Sequence, residues 1–221
     1  MKAIWSIIFK DVIVELRNKE TLSAMIMFAI LILVIFSFAF ESSGVDRSAI
    51  APGCLWVAFS FAAILGLNRS LAKELDNECL QGLLLAPLSR GALYIAKVAG
   101  NFIFMLIAEL VLLPLFVVIN NLKFDLQMLK VAGIGFLGML AIASVGTILS
   151  VLSAATRMKE VMQPVLQIPL TIPVVICAVE ATAGLLIPDY GENSSWLSIL
   201  AGFTIVYLAV SYLLFEFAVE D

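Results

Sequence analysis

Six long apolar runs, near 21–40, 50–68, 92–119, 129–153, 161–187 and 196–217, leave this chain few ways to fold. The hydrocarbon core of a bilayer is about 30 Å thick, and a helix crosses it with about 20 apolar residues. Each run is long enough. A water-soluble core could not hide them: 62% of the 221 residues are hydrophobic and 14% are charged, too little polar surface to cover so much apolar side chain. The expected fold class is all-α, a polytopic membrane protein with six transmembrane helices in a single domain spanning 1–221. The net charge of -4 adds little, because charges in such a protein matter by the loop that holds them.

The loops set the expected orientation. With the N-terminus inside, the inner loops hold Lys2, Lys10, Arg17, Lys19, Arg69, Lys73, Arg90, Lys97, Arg157 and Lys159, ten of the thirteen basic residues. The outer loops hold Arg47, Lys123 and Lys130. The positive-inside rule then places both termini in the cytoplasm. Lys10, Asp11, Glu15 and Arg17 interrupt any signal-peptide core in the first twenty residues. Region 1–20 instead predicts an interfacial amphipathic helix, with Trp5, Ile8, Phe9, Val12 and Leu16 toward lipid and Lys2, Lys10 and Arg17 toward headgroups.

The longest polar interruption, 69–91, falls between spans two and three. Leu71, Leu75, Cys79 and Leu83 share one face of a predicted short helix, Pro87 ends it, and Ser89 is placed to cap the next helix. Such a surface helix is either a solvated connector or a lever that a soluble motor protein grips.

Within the spans, Ala58, Ala62, Gly66 and Ser70 form a small-residue face suited to a homodimer seam or to intrachain packing. Gly133, Gly135, Gly138 and Gly146 mark span four for tight packing in the same way. Glu109 lies near the middle of span three. A carboxyl at that depth is either a functional group or a protonated side chain bonded to a neighbouring helix, and it is expected to line a polar seam between helices and not to face lipid, where it would have no partner. Pro164, Pro169 and Pro173 predict a broken or kinked fifth span, with Gln163, Gln167 and Thr171 near enough to serve the freed carbonyls. Beyond the prolines, one reading of 178–194 is a re-entrant hairpin with Glu180 at its turn.

Absences narrow the function. The chain has no histidine, which excludes a His-ligated metal or haem site within it. Cys54, Cys79 and Cys177 are too far apart for a local metal motif. There is no P-loop to cradle ATP phosphates and no Ser/His or Cys/His pair for nucleophilic catalysis. The chain is therefore expected to be no enzyme and to need no nucleic acid. If it moves anything actively, a separate subunit must supply the energy.

Ala51-Pro52-Gly53 with Leu55-Trp56-Val57, then Leu80-Gln81-Gly82-Leu83, Ala96-Lys97-Val98, Leu113-Pro114-Leu115 and Pro169-Leu170-Thr171-Ile172-Pro173 follow one another along most of the chain. In that order they resemble the haem exporter protein B family, CcmB, permease subunits of the ABC transporter of bacterial cytochrome c maturation. The resemblance implies a multi-pass protein of the bacterial inner membrane that pairs with the ATPase CcmA, associates with CcmC and CcmD, and serves the haem chaperone CcmE. It implies haem handled by the complex, ATP bound in the partner subunit, and no cofactor held by this chain alone. Leu75, Glu78, Cys79, Gln81, Gly82 and Leu83 would form the ATPase-coupling surface. Gln81 departs from the acidic residue the family often carries there, which removes a salt bridge from that contact. A second copy of the chain and membrane lipid complete the expected partners. A permease for lipid or polysaccharide, or a non-transporting scaffold, are the alternatives.

Overall fold

Each apolar run folds as one helix. The computed structural model describes residues 2–17, 19–41, 47–76, 89–122, 124–154, 159–187, 190 and 194–218. Along these the helices are α1 (Lys2–Arg17), α2 (Glu20–Glu41), α3 (Arg47–Asp76), α4 (Arg90–Ile119), α5 (Leu126–Ala154), α6 (Lys159–Leu186) and α7 (Ser194–Ala218). Among the described residues, six helices, α2 to α7, are long and apolar enough to cross a membrane.

The helix α5 is the hub, packed on α3, α4, α6 and α7. Its glycines explain why. The indole of Trp56 from α3 lies against Gly138, Leu67 from α3 against Gly146, and Glu109 from α4 against Gly135, each in space that a side chain would fill. The small-residue face of α3 is used within the chain: Ala58 and Ala62 are buried, and Gly66 receives Met25 of α2. At the periphery, α2 exposes Met27, Leu31 and Phe38, and α7 exposes Ile205, Leu213 and Phe217, the outer faces that lipid would cover.

Ser89 caps α4 as its sequence context predicts. Its backbone is extended, and its hydroxyl oxygen accepts from the Ala92 amide at 3.3 Å. Upstream, α3 runs on without interruption to Asp76, so Leu71 and Leu75 continue the second span's helix and do not begin a new one. The good helix formers Leu71, Ala72, Lys73, Glu74 and Leu75 carry no break signal, which is the physical reason.

The fifth span corrects two expectations, a break at the prolines and a turn at Glu180. Pro164, Pro169 and Pro173 lie inside one unbroken helix, α6. Each removes a backbone donor, yet a bundle tolerates that where other groups serve the carbonyls nearby. Thr171 donates to the Ile168 carbonyl at 2.9 Å and the Tyr207 hydroxyl of α7 to the Leu170 carbonyl at 2.7 Å. The carbonyls that the prolines free, four residues back, are those of Glu160, Val165 and Pro169, so neither bond replaces a lost one. Gln163 and Gln167 serve no carbonyl among the described residues. The same helix holds 178–186, so that part of 178–194 does not form a re-entrant turn. Residues 188, 189 and 191–193 lie outside the described set.

Candidate functional site

The polar side chains inside the bundle begin at the end where α4 starts. Lys97 sits about two turns into α4, with its side chain 7% exposed. An ammonium at that depth needs a partner. Asp11 of α1 supplies it at 3.1 Å, lies against Gly100, and also pairs with Lys10 at 2.9 Å. The helix α1 is thereby docked on α4. Ile7 is buried and Ile8 packs against the core, while Trp5 and Phe9 stay exposed. Of the apolar stripe expected toward lipid, Ile8 thus turns toward the protein.

Next to this clamp, two bonds tie α4 to α5: the Tyr94 hydroxyl with Ser144 Oγ at 2.9 Å, and Asn101 Nδ2 donating to Thr147 Oγ1 at 3.0 Å. Across the bundle, the Trp56 indole N–H donates to Thr182 Oγ1 at 2.9 Å, and that hydroxyl donates on to the Ala178 carbonyl at 2.7 Å. Every polar atom in the Trp56 and Thr182 side chains is therefore paired.

Three buried side chains are not. Glu109 is 3% exposed, and neither carboxyl oxygen has a hydrogen-bond partner among the described residues. The void beside it, lined by Met25, Phe59, Met105, Leu112 and Met139, has no room for a water molecule. Its inward direction follows from depth, since an acidic group at the bilayer centre costs about 2.5–3.5 kcal/mol. Its apolar walls do not form the polar seam that the sequence predicts. Gln163 and Gln167 of α6 are fully buried, and both amides are likewise unpaired among the described residues. Each group left so costs about 1–3 kcal/mol.

At the far end of α6, Glu180 is half-buried and accepts from the Tyr190 hydroxyl at 3.1 Å. That hydrogen bond, and then the charge of Glu180, hold the exposed Tyr190 phenol above its ordinary range.

Of the expected coupling residues, Leu75 falls in the last turn of α3, and Glu78, Cys79, Gln81, Gly82 and Leu83 lie outside the described residues. Glu109, Glu180 and the three prolines are on separate faces or levels and do not converge on one site. Reasoning from sequence missed the Asp11 and Lys97 pair, whose signal was a lone lysine two turns inside an apolar run. It also missed that Gln163 and Gln167, four apart, share one buried face.

Among the described residues no group of three His, Cys, Asp or Glu side chains could hold a metal ion. Fold and site together define a polytopic membrane protein whose polar groups are sealed in helix seams. A family model described as CcmB protein matches residues 2–221, and the chain belongs to that family. It is 27% identical over 190 residues to a Heme exporter protein B of Haemophilus influenzae, covering 84% of this chain and 85% of the relative. A Heme exporter protein B of Rhodobacter capsulatus is 23% identical over 175 residues, covering 79% of this chain and 80% of the relative. One from Escherichia coli is 26% identical over 98 residues, 44% of each chain.

Proposed function

We propose that this chain is the membrane permease subunit of an ATP-driven haem exporter serving c-type cytochrome biogenesis. The observation that carries the reading is the CcmB match along residues 2–221 of a chain with six apolar helices. In this reading the protein lies in the bacterial inner membrane with both termini cytoplasmic. ATP is hydrolysed by CcmA, CcmC and CcmD join the complex, and CcmE receives the haem. A second copy of the chain completes the membrane part.

The stretch 69–91 is the lever. It takes in the last turns of α3 and the first residues of α4, so a partner that grips it moves two spans at once. Its apolar residues Leu75, Cys79 and Leu83 supply the contact energy, at about 25 cal/mol per Å² buried, and its charges set orientation. A motor that releases haem-loaded chaperone, without passing haem through the spans, is favoured by one specific feature: the chain has no histidine to hold haem iron in transit.

The test is complementation. In a strain lacking the native gene, this chain should restore c-type cytochromes and co-purify with the ATPase. Restored cytochromes without ATPase association would overturn the coupling, and association without cytochromes would point to another substrate.

A further inference from the structure

Gln163 and Gln167 lie one turn apart on α6, on the face that also buries Thr171, Val174 and Ala178. The Gln167 amide nitrogen rests against Gly146 of α5, 2.9 Å from where a Cβ there would stand, and Leu67 of α3 meets the same glycine. Two amides bring four donor hydrogens and two acceptor oxygens into this seam. The hydroxyl hydrogens of the adjoining turns are already committed. Thr147 donates to the Ala143 carbonyl and accepts from Asn101, Ser150 donates to the Thr147 carbonyl, and Thr171 donates to the Ile168 carbonyl.

Buried polar groups in folded proteins are paired with protein or with water. A fully buried, unpaired pair therefore marks a seam whose amides are satisfied in another arrangement of the same helices. We infer that the α5–α6 seam at Gln163 and Gln167 is a water-binding site that opens from the end of the bundle where α6 begins. The ligand is neutral and must both donate and accept. Among the described residues no buried side chain of α3, α5 or α6 is charged, so nothing there would balance an ion. Gln167 is eight residues from Lys159, so water reaches about 12 Å into the bundle at 1.5 Å per residue. Pro164 lies between the two amides and Pro169 two residues beyond the second. Each takes away one backbone bond that would hold α6 rigid, which lets this part of the helix swing from α5.

Cysteine accessibility tests the site directly. Cys54, Cys79 and Cys177 are first replaced by alanine, and Gln167→Cys is compared in membrane vesicles with Ile168→Cys, a neighbour that is 42% exposed on the outer face. A small charged methanethiosulfonate reagent should modify Gln167→Cys at least roughly tenfold faster, because the reacting thiolate forms only where water reaches it. An equal or slower rate overturns the proposal. Independently, Gln163→Leu with Gln167→Leu removes the unpaired groups at similar volume and should raise the thermal midpoint of the purified protein by a few degrees. A lowered midpoint would mean that the amides are paired in the resting chain, and it too overturns the proposal.

Discussion

The carboxyl of Glu109 occupies the volume that a side chain at Gly135 would need, so an acid on α4 and an absent side chain on α5 form one packed unit. Gly135→Ala should overpack this contact and destabilise the protein by about 1–3 kcal/mol. Adding Glu109→Ala should recover part of that loss, because the second change empties the space that the first one fills. Thermal melts of both single variants and the double variant measure the coupling, and strictly additive effects would show that the two residues do not meet.

Glu109→Leu separates stability from function. Leucine replaces the carboxyl at similar volume between apolar walls and removes two unpaired oxygens, so the midpoint should hold or rise. Cytochrome c maturation in the complemented strain should nevertheless fall. Full maturation would assign the carboxyl no part in the work of the complex.

Asp11→Ala should loosen α1 from α4. Breaking a buried ion pair costs about 3–5 kcal/mol, and the low end applies here because the Asp11 side chain is 20% exposed. Lys97→Met should cost less, since Asp11 keeps Lys10 as a partner. Limited proteolysis near the N-terminus reads both variants, and the charge swap Asp11→Lys with Lys97→Asp should restore protection.

The bond from Tyr190 to Glu180 makes a pH prediction. The phenol is held above its ordinary value of 10.0, so the contact is intact below that pH and is lost as pH rises through the raised value. A phenolate would then face the Glu180 carboxylate. The difference in phenolate absorbance between wild type and Tyr190→Phe gives the midpoint, and Glu180→Gln should bring it down toward 10.0.

Leu83→Asp places a charge in the apolar stripe of 69–91. It should weaken ATPase association and stop cytochrome c maturation while leaving membrane insertion unchanged. Normal association would move the lever to 156–160, the stretch where the chain passes from α5 to α6 on the same side.

The spans were legible because apolar length alone demands them, and Ser89 was legible because a cap is a local device. Trp56 and Thr182 were not, since nothing local in either residue names a partner on another helix. The prolines misled for a related reason. Their cost is local, but α6 continues through them in a bundle where it packs on α3, α5 and α7. For Glu109, depth predicted an inward direction, but the apolar walls belong to α2, α3 and α5 as well as α4, and no pattern within α4 encodes them.

Tyr94, 1% exposed, is covered in part by Tyr212 and Phe215, with ring centroids 6.0 and 5.3 Å away, and Gly91 lies under Tyr212. Those covering residues are made more than a hundred positions after Tyr94. During synthesis the start of α4 therefore waits, uncovered, until the last helix has left the ribosome and entered the bilayer. A stop codon after α6 would leave five apolar helices inserted but this corner open, a defect that membrane proteases can find before any question of transport arises.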